Sequence, residues 1–262
     1  MNNNINFDRN QAKRLLLLAI LAGRIMLKNG AETYRVEDTI ERMIKSRKGI
    51  KFAHAFVTPT GIFASLEYED EVFTYLVRIK SRRIDLNKIN LVNEFSREFV
   101  STNMSIDEGF DKLKSIYSAE TYSLMLNSIS GGLSCGFLSF MFGGSTMDFL
   151  ASLIIGFIVV LSVNKIARYK LAFFINNFLG AAIATLLSIV SYTVGIADNM
   201  NTVIIASIMP LVPGVAITNA MRDTISGDFV SGLSRGMEAI FSALSIAFGV
   251  GFILNIYLWR IR

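Results

Sequence analysis

Residues 209–240 read MPLVPGVAITNAMRDTISGDFVSGLSRGMEAI, a stretch that places two prolines in an apolar segment and a cluster of charges directly after it. Pro210 and Pro213 each lack a backbone N–H, and their rings clash with the preceding helical turn. Gly214 adds backbone freedom at the same point. The sequence therefore predicts that the apolar segment 203–217 is kinked or split into two half-helices.

The charge of the chain is divided unevenly between its two halves. Residues 1–123 hold 19 of the 26 Lys and Arg residues and 16 of the 21 Asp and Glu residues. The remainder of the chain is mostly apolar, which explains a mean hydropathy of +0.46 for the whole. The fold class that we expect is an α-helical polytopic membrane domain, residues 121–262, preceded by a small cytoplasmic α+β domain, residues 1–120.

The first half shows helix and strand signals in a regular order. A helix is expected to end at Asn29-Gly30, and an amphipathic second helix covers 31–48. Alternating apolar residues then predict three short antiparallel strands at 52–58, 62–66 and 72–79. Asp85 can cap a third helix, and Ser105 with Glu108 forms the capping box of a fourth.

The second half contains five apolar segments, and one of them is the segment with the prolines. They cover residues 124–142, 149–163, 171–191, 203–217 and 236–259. Two are shorter than the roughly 20 residues that span a bilayer, but the second can extend through Ile166. We therefore expect about five transmembrane helices, the fourth of them broken by proline.

The basic residues of the loops predict the orientation. The loops 143–148 and 192–200 carry no Lys or Arg, whereas the loop 164–170 carries Lys165, Arg168 and Lys170. The positive-inside rule then places the N-terminal domain in the cytoplasm and the carboxyl terminus outside. The arginines of the tail, Arg260 and Arg262, argue against this topology.

Small and polar residues mark two further features of the apolar half. Glycines spaced by four, at 132 and 136 and at 232 and 236, predict close helix–helix contacts. Four polar residues are expected to face the interior of the bundle: Asn127, Asn176, Asn177 and Glu238. For Glu238 two interpretations stay open, a protonatable group inside the bundle or an interfacial partner of Arg235.

Two stretches together resemble the threonine/serine exporter family, in its N-terminal portion. The first half contains AGRIMLKNGAETYRVEDTIERM and FVTPTGIFASL, and the second contains PLVPG followed by Arg222-Asp223, Gly227-Asp228, Ser231-Gly232 and Arg235. The resemblance implies a secondary transporter that exports small polar amino acids with the proton motive force, or a dicarboxylate such as succinate. Longer members of the family carry a second membrane portion on the same chain. The resemblance thus implies a partner, a second small membrane protein, although a homo-oligomer is also possible.

Under this interpretation the broken fourth span lines the substrate path, through Pro210, Pro213, Gly214, Thr218 and Asn219. The charges beyond it form a gate whose members can exchange partners: Arg222, Asp223, Asp228 and Arg235. Glu238 is the candidate for the coupling proton. The alternatives are a proline kink that serves only packing and a static network of salt bridges that fixes the loop.

Two other classes of function compete with transport. A membrane-anchored hydrolase would use His54, Thr58, Thr60 and Glu37, but no nucleophile elbow, metal-ligand spacing or phosphate loop accompanies them. A scaffold would bind a cytosolic partner through its soluble domain. The single Cys135 excludes an intrachain disulfide and a multi-cysteine metal site. We expect that the protein is not an enzyme and that it has no cofactor, no metal and no nucleic-acid partner.

Overall fold

A computed structural model of the chain describes residues 7–81, 83–119, 122–169 and 171–261. For Ile261 it describes the backbone only. Lys170 and Arg262, which the sequence used for orientation, lie outside the described residues. The contacts of the chain divide it into two units. Unit 1 comprises Met1–Thr121 with Val215–Gly236, and unit 2 comprises Tyr122–Gly214 with Met237–Arg262. The segment Val215–Gly236 is therefore grouped with the N-terminal part, whereas the sequence placed it in one domain with the rest of 121–262.

Unit 1 has four helices in its N-terminal part, and their ends follow the predicted signals. Asp8 caps the first helix by accepting from Gln11 N, and Gly30 follows that helix with a left-handed φ of 98°. The predicted cap at Asp85 and the predicted capping box of Ser105 are both present. The helices are α1 (Arg9–Lys28), α2 (Thr33–Lys45), α3 (Leu86–Ser101) and α4 (Ile106–Ser118).

The three predicted strands form one antiparallel sheet with the order β1-β2-β3. They are β1 (Ile50–Thr58), β2 (Gly61–Tyr68) and β3 (Glu71–Arg78). Glu69 and Asp70 turn β2 into β3 with positive φ angles of 49° and 61°. One face of β2 is buried through Ile62, Ala64 and Leu66, in accordance with the two-residue period of a strand.

The core of unit 1 lies among α1, α2, the buried face of the sheet and α3. Leu15, Leu18, Ile25 and Leu27 of α1 are completely buried. Each such side chain contributes about 1.5–3 kcal/mol by leaving water. Helix α1 is therefore the central element of this core.

Six further α-helices follow among the described residues, and they contain the predicted membrane spans. They are α5 (Leu124–Met141), α6 (Thr146–Ile166), α7 (Phe173–Thr193), α8 (Met200–Ile208), α9 (Gly214–Ile225) and α10 (Phe229–Ile261). Four described helices are long and apolar enough to cross a membrane, and the bent pair Met200–Leu211 and Gly214–Ile225 would make a fifth. The second span does extend through Ile166, as predicted.

Glycines allow close contacts in this part of the chain. A Cβ atom at Gly132 would lie 2.6 Å from the Leu153 carbonyl oxygen, so α5 and α6 approach at that point. At Gly232 a Cβ atom would lie 3.0 Å from the Ala220 carbonyl oxygen, which marks a close contact between α10 and α9 within unit 1. Gly236 has open space around it, so its expected role in a helix contact is wrong for the described atoms.

A buried carboxylate fixes the start of α6 within unit 2. Asp148 is 1% exposed, and its Oδ1 atom accepts hydrogen bonds of 2.9 Å from the backbone N–H groups of Asp198 and Asn199. Its Oδ2 atom accepts from Ser145 N at 3.0 Å. These contacts join the loop that precedes α8 to the first turn of α6.

Candidate functional site

The predicted break in the fourth apolar segment is present. Helix α8 ends at Ile208, a short 3-10 turn covers Met209–Leu211, and α9 begins at Gly214. The two helical pieces are bent by 57°. Pro210 lies in the 3-10 turn and Pro213 directly precedes α9, where a missing N–H costs least.

Beyond the break, α9 carries a fully buried carboxylate that pairs with α10. Asp223 is completely buried, and its Oδ2 atom lies 2.9 Å from Nε of Arg235, whose side chain is 5% exposed. The contact is an ion pair without the alignment of a hydrogen bond. A buried carboxylate is stable only with a cation or hydrogen-bond donors beside it. Arg235 also donates from Nη2 to the Ala31 carbonyl oxygen at 2.8 Å.

Asp223 receives its hydrogen bonds from the first residue of α2. Its Oδ1 atom accepts from Thr33 N at 3.2 Å and from Thr33 Oγ1 at 2.9 Å. Glu32, the N-cap residue of α2, makes no side-chain cap of its own. Asp223 lies in a distant part of the chain, and its carboxylate therefore supplies the capping oxygen that the start of α2 lacks.

The Thr33 hydroxyl lies between two carboxylates. It is 2.9 Å from Oδ1 of Asp223 and 2.9 Å from Oδ2 of Asp228. A hydroxyl group carries one hydrogen and can donate it to only one of them at a time. Asp228 Oδ1 also accepts from Ser231 N at 3.2 Å, near the start of α10. The arrangement thus has room for one further proton between Thr33 and the two carboxylates.

Arg222 pairs with α2 and not with its neighbour in sequence. Its Nη1 atom contacts Oε1 of Glu32, a carboxylate that is only 9% exposed. Arg35 lies on the other side of Glu32, with Nη1 3.8 Å from Oε2. Glu32 therefore lies beside two guanidinium groups. Its carboxylate is thus buried beside cations and does not lie on an exposed helix face.

The two polar candidates of the path that lie on α9 differ in their surroundings. Asn219 is buried, and its Nδ2 atom donates to the Gly30 carbonyl oxygen at 2.9 Å. Thr218 is exposed, and its hydroxyl donates to the Val215 carbonyl oxygen at 3.1 Å. Asn219 thus binds the junction of α1 and α2, together with the charged residues that follow it.

Glu37 lies further along α2 and has a perturbed pKa. Burial raises the pKa of its carboxyl group above the ordinary value of 4.5, although the Val57 N–H donates to it at 2.7 Å. The negative charges of Asp228, Glu41 and Asp223 also raise this pKa. The charges of Asp223 on α9 and of Asp228, between α9 and α10, therefore act on the Glu37 carboxyl group.

The structure brings some of the predicted residues together and leaves others apart. The four gate candidates and Asn219 gather in unit 1 around residues 30–33, and we call this set the charge cluster. Pro210, Pro213 and Gly214 belong to unit 2, as does the half-buried Glu238. Sequence reasoning missed Thr33. Its only signal was its position as the first residue of a helix without a capping side chain.

The residues of the rival hydrolase do not form a comparable arrangement. The His54 side chain is 75% exposed, and its Nδ1 atom is 4.0 Å from Glu41. Thr58 and Thr60 contact each other through their hydroxyl oxygens at 3.4 Å in the turn between β1 and β2. Over residues 7–81, 83–119, 122–169 and 171–261, no three His, Cys, Asp or Glu side chains are arranged to hold a metal ion.

Several long apolar helices and a bent helix pair followed in sequence by a buried charge cluster are consistent with a polytopic membrane protein that also carries a small three-stranded sheet. Residues 17–257 match the model of the ThrE family, described as "Putative threonine/serine exporter". The chain belongs to this family of exporters.

Its relatives carry two kinds of name. The chain is 25% identical to a protein of Escherichia coli named "Probable succinate transporter subunit YjjP", over 96% of this chain and 97% of that protein. It is 20% identical to a protein of the same name from Klebsiella aerogenes, over 97% and 98% of the two chains. It is 21% identical to the "Threonine/serine exporter" of Corynebacterium glutamicum, over 93% of this chain and 51% of that protein. The chain thus spans about half the length of that exporter. No solved structure matches.

Proposed function

We propose that this chain is a subunit of a secondary transporter that exports small polar amino acids such as threonine and serine, driven by the proton motive force. The observation that carries the proposal is the charge cluster beyond a proline-broken apolar segment, in a chain that belongs to the exporter family. A broken helix frees backbone groups for a polar substrate, and paired charges beyond it can change partners during transport.

The proposed substrate path is lined by the residues of the break, namely Pro210, Pro213, Gly214, Thr218 and Asn219. The proposed gate consists of Arg222, Asp223, Asp228 and Arg235. In the pairing described above, Asp223 neutralises Arg235 and Glu32 neutralises Arg222. In a second pairing, a substrate carboxylate would take the place of Glu32 on the exposed Arg222, and Arg35 would remain beside Glu32.

The coupling proton is assigned to Glu238, with Asp228 as the second candidate. Glu238 is half-buried on an apolar helix, and ionisable residues in such helices often mark proton pathways. Asp228 is supported by the Thr33 hydroxyl, which contacts two carboxylates with one hydrogen. A proton on Asp228 would allow both contacts to be hydrogen bonds.

Two substitutions separate these roles. Glu238→Gln should abolish accumulation driven by a pH gradient and preserve substrate exchange, whereas Asp223→Asn should slow both modes because it leaves a buried arginine without its carboxylate. Asp38→Asn, on an exposed ion pair of α2, is the matched control. The assay is flux of labelled threonine from cells and proteoliposomes, with and without a pH gradient. If Glu238→Gln retains full gradient-driven accumulation, Glu238 does not carry the coupling proton, and Asp228 becomes the candidate.

The partner is proposed to be a second small membrane protein that supplies the remaining helices. The basis is the name "subunit" of two relatives and the greater length of the Corynebacterium exporter. We expect no robust flux from this polypeptide alone. Saturable flux without any companion protein would favour a homo-oligomer.

The dicarboxylate alternative is favoured by a specific observation, the similarity to two proteins named succinate transporter subunits over nearly their whole length. Efflux from cells that lack this protein, measured across a panel of amino acids and dicarboxylates, decides between the two substrates. Loss of succinate efflux with normal threonine efflux would reject the amino-acid proposal.

The N-terminal domain is proposed to lie in the cytoplasm of a bacterial-type plasma membrane. The basic loop near Lys165 and Arg168 and the absence of Lys and Arg around Asp148 and Asp198 support this orientation. A cysteine introduced beside Asp198, in a Cys135→Ala background, should react with an impermeant reagent in intact cells. Reaction only after permeabilisation would reverse the topology.

A further inference from the structure

We propose that a cleft between α2 and α3 binds a small dianion, and that this binding is coupled to the Glu32–Arg222 ion pair of the charge cluster. The cleft has a volume of about 550 Å³ and lies entirely within unit 1. Three guanidinium groups line it, those of Arg35, Arg42 and Arg97, together with the carboxylates of Asp38 and Glu98. The inference does not depend on the proposed transport function.

The two carboxylates of the cleft already have cationic partners. Asp38 accepts from Arg42 Nε at 2.7 Å. Glu98 accepts from Nζ of Lys112, which is not among the residues that line the cleft. The local positive charge is therefore carried by the remaining two guanidinium groups.

These two groups, of Arg35 and Arg97, are available to a ligand. Arg35 approaches Glu32 only at 3.8 Å, longer than a hydrogen bond, and the other oxygen of Glu32 contacts Arg222. Among the ion pairs of the described residues, none includes Arg97. Both side chains are exposed, so they can turn toward an occupant of the cleft, and Arg35 gives up only its 3.8 Å contact with Glu32 when it does so.

The chemistry of the cleft selects a ligand with two negative charges. A guanidinium group presents a planar fork of donors that matches a carboxylate or a phosphate. Two such groups match the two charges of a dianion, so a dianion should bind more tightly than a monoanion of similar size. The volume is in the range of small-molecule sites. The class therefore includes four-carbon dicarboxylates and phosphate, which share this chemistry.

Arg35 connects the cleft to the charge cluster. It lies beside Glu32, and Glu32 holds Arg222 of α9. A dianion that attracts Arg35 removes the second cation from Glu32, and the attraction between Glu32 and Arg222 then increases. Binding at the cleft should therefore strengthen the contact between α2 and α9. By linkage, a change at Arg222 must alter the affinity of the cleft.

The first experiment measures binding to the full-length chain in detergent by titration calorimetry, at one low ionic strength, with succinate and inorganic phosphate as separate probes. We expect saturable binding, weakened about tenfold by Arg97→Gln and by Arg35→Gln. Arg78→Gln, an exposed arginine at the end of β3, is the matched control and should bind as the wild type does. Tighter binding of one probe identifies the source of the dianion. Absence of saturable binding, or equal losses in Arg97→Gln and Arg78→Gln, would overturn the site.

The second experiment tests the coupling through opposite signs. Glu32→Gln frees Arg35 and should tighten binding of the better probe severalfold, whereas Arg222→Gln leaves Glu32 to hold Arg35 and should weaken it severalfold. Thermal unfolding of each variant establishes that it is folded. Affinities unchanged by the exposed substitution Arg222→Gln, or moved in the same direction by both, would refute the connection and leave an isolated anion site.

Discussion

The buried ion pair of the charge cluster makes the sharpest prediction, and the perturbation is Asp223→Asn. Asparagine preserves the size of the side chain and one carbonyl oxygen for Thr33, so the substitution removes mainly the charge. Arg235, which is 5% exposed, would then keep its positive charge without the carboxylate 2.9 Å away. Breaking a buried pair in this way costs about 3–5 kcal/mol.

An exposed pair in the same unit provides the scale for comparison. Arg42 and Asp38 are joined at 2.7 Å, a similar separation, but their side chains are 72% and 53% exposed. Exposed pairs spaced by four residues on a helix contribute about 0.3–0.5 kcal/mol. Asp38→Asn should therefore cost about a tenth as much as Asp223→Asn, although the two charge pairs have nearly the same length.

The assay is thermal unfolding in detergent, followed by circular dichroism. At about 2–4 °C per kcal/mol for a chain of this size class, Asp223→Asn should lower Tm by roughly 6–20 °C, and Asp38→Asn by less than about 2 °C. The double variant Asp223→Asn with Arg235→Gln should lose less than the sum of the two single losses, because neither buried charge remains. Equal shifts for Asp223→Asn and Asp38→Asn, or strict additivity in the double variant, would refute the account of the cluster.

Four further substitutions test other parts of the molecule. Burial raises the pKa of Glu37 in the folded protein, so its contribution to stability is present below pH 4.5 and is lost as the pH rises through that raised pKa. Glu37→Gln cannot ionise, so this variant should be more stable than the wild type at neutral pH in urea titrations. Glu41→Gln should be less stable than the wild type at neutral pH. Partial burial opposes the charge of Glu41, but hydrogen bonds from Lys45 and a backbone N–H outweigh it and lower the pKa of the carboxyl group. In the thermal assay, Gly132→Ala should cost about 1–3 kcal/mol, since its Cβ atom would lie 2.6 Å from a carbonyl oxygen. Gly236→Ala, in the interior of α10 with open space around it, should instead stabilise the protein by up to about 1 kcal/mol.

Much of the fold could be predicted from sequence because its signals are local. The end of α1 at Asn29-Gly30, the capping box of Ser105 and the alternation of the three strands each depend on residues within a few positions of one another. The break at Pro210 and Pro213 is local in the same sense, since proline disrupts the helix in which it lies. These predictions are confirmed.

The partners of the charge cluster could not be predicted, because they are far apart in the chain. Arg222 was expected beside Asp223 or Asp228, yet its partner is Glu32, 190 residues earlier. Thr33 was not identified as a site residue, because a hydroxyl residue at the start of a helix is common. The sequence identified Arg222, Asp223, Asp228 and Arg235 as one set of charges, and tertiary packing decided which of them are buried and what neutralises them.

The segment Val215–Gly236 belongs to unit 1 because its polar side chains bind backbone groups at the junction of α1 and α2 that would otherwise lack hydrogen-bond partners. The junction between α1 and α2 offers the carbonyl oxygens of Gly30 and Ala31 and the N–H of Thr33, none of which has a partner inside a helix. The segment after the proline break offers a matching set: the amide of Asn219 for one carbonyl, the guanidinium of Arg235 for the other and the carboxylate of Asp223 for the N–H. In an apolar helix bundle these same polar side chains would each need another partner or incur the cost of burial. The break at Pro210 and Pro213 therefore matters for stability as well as for the proposed path, because it ends the apolar helix before the residues that need polar partners begin.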